Sequence, residues 1–260
     1  MGGEKFFNIK CRVSGLRPHA ALLVATVRAL KVHSGRFDIV AGKPLPPELG
    51  REDLDALRAG AGNLVKQIEN VRLHGVPVVV AVNRFPTDSE AELELVREIA
   101  RDAGAFDAHV STLFGDGGEG GEAVAEALVR AADEGSTFRF LYPSEASLAE
   151  KIETLATKVY GAAGVEYSDL AREKLARFEA LGYGRMPICM AKTQYSLSHD
   201  PTLRGRPEGF TFPIQDVRAS VGAGFVYPLA GSIMTMPGLG RRPNGMQIDL
   251  DDQGRIVGMM

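Results

Sequence analysis

Cysteine is scarce. The 260 residues hold two, Cys11 and Cys189, far apart and outside any CxxC spacing, which excludes a disulfide framework and a thiolate zinc site. Basic residues are not in excess: 30 Lys and Arg stand against 33 Asp and Glu, for a net charge of -3 and a pI near 6.0. The positive stripe of a nucleic-acid-binding surface is therefore absent. No apolar run approaches bilayer-spanning length, and MGGEKFFNIK lacks the apolar core and cleavage site of a secretory signal. GxxxxGK[ST], HExxH and GxSxG are missing too. His19, His74, His109 and His199 are scattered without ligand spacing, and His33 is distinguished only by standing near Arg28. Together these absences imply a cytoplasmic globular protein with no nucleic-acid partner, no membrane and no metal ligand set of its own.

What is present is ordinary core material, 45% apolar residues, with 30 glycines to turn the chain. FFNIKCRV, ALLVATVRAL and PVVVAVNRF predict strands of a parallel sheet buried on both faces. Leu54, Leu57, Leu64 and Ile68 recur at helical spacing between the second and third, which makes a crossover unit. Thr87 or Asp88 is the expected cap of the next helix, followed by a strand at AHVSTLF, a helix opened by GDGGEGGEAV, and a strand at FRFLYP. Residues 144–181 read as helical with a break at GAAGVEYS. The last third, with MPICMAKT, GFTFPIQDVRAS, GFVYPLAGSIMTM and MQIDLDDQGRIVG, predicts a mixed or antiparallel lobe.

Several stretches carry chemistry under one reading and structure under another. In VATVRALKVHSG, Thr26 and Arg28 stand at a strand's carboxyl end, where open α/β sheets gather ligands. Arg28 could grip a phosphate and Lys31 could add a point charge, or both could make surface ion pairs. Phe85 in VVVAVNRFPTD and Phe114 before the glycine loop either plug the core or form a slot for a flat heteroaromatic ligand. The loop Gly115–Gly121 could hold an anion, although Asp116 and Glu119 argue for a plain helix start. Lys192, Gln194, Arg241 and Arg242 sit in turn-rich segments that could equally be structural.

VATVRALKVHSG, PVVVAVNRFPTDSEAEL, GGEGGEA, ALGYGRMPICMAKTQYS and TMPGLGRRP together resemble formate–tetrahydrofolate ligase, across the whole chain and in order. The resemblance covers roughly the C-terminal half of that family's usual chain. It implies ATP-dependent formylation of tetrahydrofolate at N10 through formyl phosphate, a step of one-carbon metabolism, with Mg2+ and a monovalent cation. It also implies an α/β fold containing part of a P-loop-NTPase-like parallel sheet, without its N-terminal portion, followed by smaller α/β and mixed lobes. Residues 1–83 would complete the nucleotide-binding core, 84–143 the folate-binding lobe and 144–260 the C-terminal lobe. Phe85, Val110 and Phe114 match the family's pterin-holding positions, with phenylalanine at 114 where tryptophan is common. Thr26 and Arg28 match its nucleotide and phosphate site, and Met236, Pro237 and Gly238 a segment beside the nucleotide. Ser34 departs from the family's usual glycine, and the catalytic residues remain unknown. The family's phosphate loop and formate-binding arginine precede residue 1, so an N-terminal partner chain and a homo-oligomer, tetrameric in the family, are implied. The alternative is a non-catalytic folate- or nucleotide-binding module derived from the ligase.

Overall fold

In the computed structural model, which describes residues 2–40, 43–233 and 241–258, the chain opens on helix where a strand is expected. α1 (Gly2–Lys5) runs through a π-helical stretch (Phe6–Cys11) into α2 (Arg12–Ser14), which corrects the FFNIKCRV strand. The period-two pattern Phe7, Ile9, Cys11, Val13 misleads, because Val13 is 74% exposed. The buried set is Glu4, Phe7, Asn8 and Cys11, a helical spacing. Asn8 fixes it: Nδ2 donates to the Glu4 carbonyl at 3.1 Å, and Oδ1 accepts Leu141 N–H at 3.1 Å.

β1 (Ala21–Ala25) stops just before Thr26, whose Oγ1 accepts Ala29 N–H at 3.2 Å and starts α3 (Val27–His33). VATVRALK is thus strand end, helix cap and first helical turn in succession. A 3₁₀ turn (Pro47–Gly50), α4 (Leu54–Gly60) and α5 (Gly62–Leu73) lead to β2 (Val78–Asn83). Then follow α6 (Glu90–Asp102), β3 (Asp107–Ser111), α7 (Leu113–Asp116), a 3₁₀ turn (Gly117–Gly121) and α8 (Glu122–Glu134). The cap of α6 is Ser89, not Thr87 or Asp88, and Glu92 closes a capping box with it.

β2 is the centre of a parallel sheet ordered β1-β2-β3. Helices cover both faces, so Val78, Val79, Val80 and Val82 are all fully buried, and each contributes about 1.5–3 kcal/mol. The main core lies under α3, α4, α5 and α6, while Ala127 and Ala131 of α8 close over Val79 on the other side. Gly60 lets α4 cross α3 closely: a Cβ there would stand 1.8 Å from the Leu30 carbonyl oxygen.

The remainder forms a second unit around its own core. α9 (Leu148–Thr154) continues through a π-helical stretch (Leu155–Val159), followed by β4 (Gly164–Tyr167), α10 (Asp169–Ala180), β5 (Thr211–Ser220) and β6 (Phe225–Ala230). β4 and β5 are parallel, β5 and β6 antiparallel, so the expected mixed lobe is present and GVEY is a strand rather than a break. A small hairpin, β7 (Asp249–Leu250) and β8 (Ile256–Val257), ends the described residues. FRFLYP is no strand; its backbone bonds to the α5–β2 turn instead, Thr137 N–H to Gly75 O and Arg139 N–H to His74 O, both at 2.9 Å. The two units are stitched by Tyr160 Oη donating to Glu4 at 2.9 Å, Lys66 to Lys158 O at 2.7 Å and Asn70 to Val159 O at 3.0 Å. No described helix is long and apolar enough to cross a membrane.

Candidate functional site

Parallel strands put their carboxyl ends on one edge, and here three loops leave that edge side by side. Ala25 pairs with Val82, and Asn83 with Ser111, so the turns beginning at Thr26, Arg84 and Thr112 are neighbours. Open α/β sheets bind ligands in crevices at this edge.

Arg28 and Phe85 meet there. The Arg28 Cζ lies over the Phe85 ring, 3.4 Å from its centroid, a cation–π contact. The N–H fork, lying in the guanidinium plane, stays available for an oxyanion. The Phe85 side chain is only half-buried. A tight turn holds it: Phe85 N–H donates to Asp88 Oδ2 at 2.8 Å, and Asp88 N–H to the Phe85 carbonyl at 3.0 Å. Burial pushes the Asp88 carboxyl up, and nearby Glu92 adds to the rise. Arg28 also lines a cavity of about 260 Å³ with Pro46, Leu49, Gly50 and Thr87.

Lys31 is not a phosphate contact. It is 1% exposed, and its ammonium donates to Glu92 Oε1 at 2.8 Å and to Arg51 O at 2.8 Å. The same Glu92 oxygen accepts Asp53 N–H at 3.0 Å, while Oε2 accepts Ser89 N–H at 3.2 Å. One buried carboxylate therefore fastens the helix that carries Arg28 to the turn that carries Phe85 and to the start of α4. Sequence reading took Glu92 and Asp88 only as residues of a helix start, not as the groups that hold this site together. The spacing Ser89-x-x-Glu92 was the signal available for the first.

Val110 packs half-buried against the main core and pairs with Val82. Phe114 stands fully exposed on α7. Neither aromatic ring therefore plugs a core. The glycine loop is folded back beneath α7: Thr112 N–H donates to Gly120 O at 3.0 Å, and a Cβ on Gly120 would lie 2.5 Å from Thr112 Oγ1. Close approach explains that glycine, and Asp116 and Glu119 remain exposed. Ser34 causes no strain. Its φ is -66°, the left-handed turn falls on Gly35 at +79°, and Ser34 Oγ donates to Lys31 O at 2.5 Å. Met236, Pro237 and Gly238 lie outside the described residues. Among the described residues no group of three or more His, Cys, Asp or Glu side chains gathers as a metal site.

The family model for formate–tetrahydrofolate ligase matches residues 1–260. Relatives named formate–tetrahydrofolate ligase include that of Roseiflexus sp., 58% identical over 259 residues, and that of Herpetosiphon aurantiacus, 56% identical over 259 residues. A third, from Saccharopolyspora erythraea, is 56% identical over 259 residues. Each alignment takes in 100% of this chain but only 45% or 46% of the relative, so the chain spans less than half the length of these proteins.

Proposed function

This chain belongs to the formate–tetrahydrofolate ligase family, and we propose that it takes part in the ATP-dependent joining of formate to N10 of tetrahydrofolate through formyl phosphate. Its share is the pterin platform and one flank of the nucleotide site. Phe85 and Phe114 hold the pterin, with Val110 beside them; Thr26 and Arg28 face the phosphates, and Met236, Pro237 and Gly238 the nucleotide. Residues 1–83 serve the nucleotide-binding core, 84–143 the folate lobe and 144–260 the C-terminal lobe. The Arg28–Phe85 contact carries this reading, because it sets a guanidinium that can grip an oxyanion beside a half-buried aromatic ring at one ligand-gathering edge. No step is assigned to a metal on these residues; Mg2+ and a monovalent cation belong to the assembled enzyme.

The phosphate loop comes from the portion of the family's chain that precedes the matched half. The outer edge of β1 fits such a partner: no described strand pairs with it, and Leu22 and Val24 are 46% and 62% exposed. The assembled enzyme works as a homo-oligomer in the cytoplasm. Co-expression with an upstream half from a relative should give formate-dependent ATP hydrolysis and 10-formyltetrahydrofolate. Calorimetry on the chain alone should show tetrahydrofolate binding that Phe85→Ala weakens. Folate binding without turnover across a range of upstream halves would point to a binding module instead. No heat and no thermal shift with tetrahydrofolate would remove the folate reading.

A further inference from the structure

Lys31, Lys66, Lys151 and Lys192 withdraw from solvent, and the first three have evident structural partners. Lys31 has Glu92 and the Arg51 carbonyl. Lys66 donates to Lys158 O at 2.7 Å and lies 3.9 Å from Glu69. Lys151, fully buried, donates to the carbonyls of Ser144, Gly184 and Met186, so all three protons of its ammonium are used. Lys192 differs. It donates to Thr193 O at 2.8 Å and to Ser196 O, and among the described residues it has no carboxylate partner and no third acceptor. Burial without a carboxylate favours the neutral amine.

Lys192 also lines a cavity of about 550 Å³ between α1, α5, the end of α3 and the segment after Ile188, a size that suits a small molecule. Met190 and Leu197 are its apolar side, Gln67 and Gln194 its amides, and none of Thr26, Arg28, Phe85, Val110 and Phe114 belongs to it. The root of Lys192 is fixed: Cys189 N–H donates to Val226 O at 2.8 Å and Ala191 N–H to Pro228 O at 3.0 Å, which ties the segment to β6. A neutral amine has two N–H bonds. The Thr193 and Ser196 carbonyls take both, which leaves the lone pair as the open position of an anchored nitrogen. Burial, then the charge of Lys5, itself ion-paired with Glu4 at 3.7 Å, brings Lys192 down to about 8. Lys151 comes down to about 8 as well, but its nitrogen faces three carbonyls and does not line this cavity. Geometry, not basicity, sets Lys192 apart.

We propose that Lys192 is a nucleophilic amine that captures a small aldehyde in this cavity as a protonated imine. The lone pair attacks the carbonyl carbon, and the carbinolamine takes up a proton and loses water, so that a C=N bond replaces the C=O bond and nothing is oxidised or reduced. The adduct keeps one N–H and a positive charge. Both suit the site, because two carbonyl oxygens accept from this nitrogen and the Tyr160 ring centroid lies 5.3 Å away. An acyl donor fits less well, since an amide would remove the charge that these groups face. The titratable neighbours are His33 and Cys189 in the lining, Tyr160, and the Lys5–Glu4 pair. Burial lowers His33 and raises Cys189 and Tyr160, which leaves all three uncharged near neutral pH; it raises Glu4 too.

Brief treatment of the wild-type chain at pH 7 with propionaldehyde and sodium cyanoborohydride reduces each imine to a propyl-lysine, which peptide mass spectrometry counts site by site. At that pH about a tenth of an amine brought to about 8 is neutral, against less than about a thousandth at the ordinary 10.5. The weaker base is a weaker nucleophile, which returns part of this advantage. Lys192 should therefore label about tenfold faster or more than the exposed Lys43 and Lys158, while Lys151 stays unlabelled. The ratio of Lys192 to the exposed sites should shrink as pH passes about 8. Lys192→Arg should remove the fast site alone. The proposal falls if Lys192 labels no faster than the exposed lysines, if Lys151 labels as fast as Lys192, if the ratio ignores pH, or if a fast site persists in Lys192→Arg.

Discussion

At the scale of single residues, the two aromatic rings proposed to hold the pterin invite opposite expectations for stability and the same one for binding. Phe114 is fully exposed, so Phe114→Ala should leave the denaturation midpoint within about 0.5 kcal/mol of wild type. Its loss from a pterin stack should still weaken tetrahydrofolate about 5- to 30-fold by calorimetry, a stacking contribution of roughly 1–2 kcal/mol. Unchanged affinity would remove Phe114 from the site. Phe85→Ala should weaken binding similarly and cost some stability too, because the half-buried ring carries the Arg28 guanidinium. What was legible in the sequence was the position of Thr26, Arg28 and Phe85 just beyond the carboxyl ends of β1 and β2. Lys31 was misjudged, since a lysine near an arginine reads as one positive patch until the buried Glu92 partner, 61 residues away, is seen.

Between elements, Glu92 is the residue on which the crevice depends most. It accepts from Lys31, from Asp53 N–H and from Ser89 N–H while buried, so Glu92→Ala strands the Lys31 ammonium in a dry site. Chemical denaturation should show a loss of about 3–5 kcal/mol. Ser89→Ala removes only the cap and should cost about 0.5–2 kcal/mol. Equal effects from the two substitutions would mean that Glu92 acts as a cap partner alone. This node also marks the limit of sequence reading. Strands β2 and β3 were legible because valine runs and turn residues are local signals, and β2 is buried on both faces as its pattern requires. FFNIKCRV and FRFLYP were not. In the first, period-two apolar residues coincide with a helix fixed by Asn8; in the second, Phe138 and Phe140 alternate correctly, but the chain crosses the α5–β2 turn instead of a strand. Both depend on contacts made more than sixty residues away.

Across the whole molecule, two histidines sit where separate segments are joined, and they set a direction for stability against pH. His74 is fully buried, stacks near Phe7 and Phe138, and has Nδ1 3.0 Å from Arg139 O. His33 Nδ1 accepts Gly205 N–H at 3.3 Å, across to the second unit. Burial lowers both from the ordinary value of 6.5. A histidine lowered in the fold is protonated first in the unfolded chain, so its stabilisation is complete above about 6.5 and is lost as pH falls toward the folded value. The raised carboxyls of Glu4 and Asp88 act in the opposite sense, since folding retains protons there above about 4.5 and 3.8 respectively. Comparing variants isolates the histidine contribution from theirs. Wild type should lose stability between about pH 6.5 and 5.5, with His74 contributing at most about 1.4 kcal/mol per pH unit. His74→Phe, which keeps a ring between Phe7 and Phe138, should flatten that slope in denaturant titrations at the two pH values. A variant as acid-sensitive as wild type would show that His74 is not among the groups whose protonation loosens the junction.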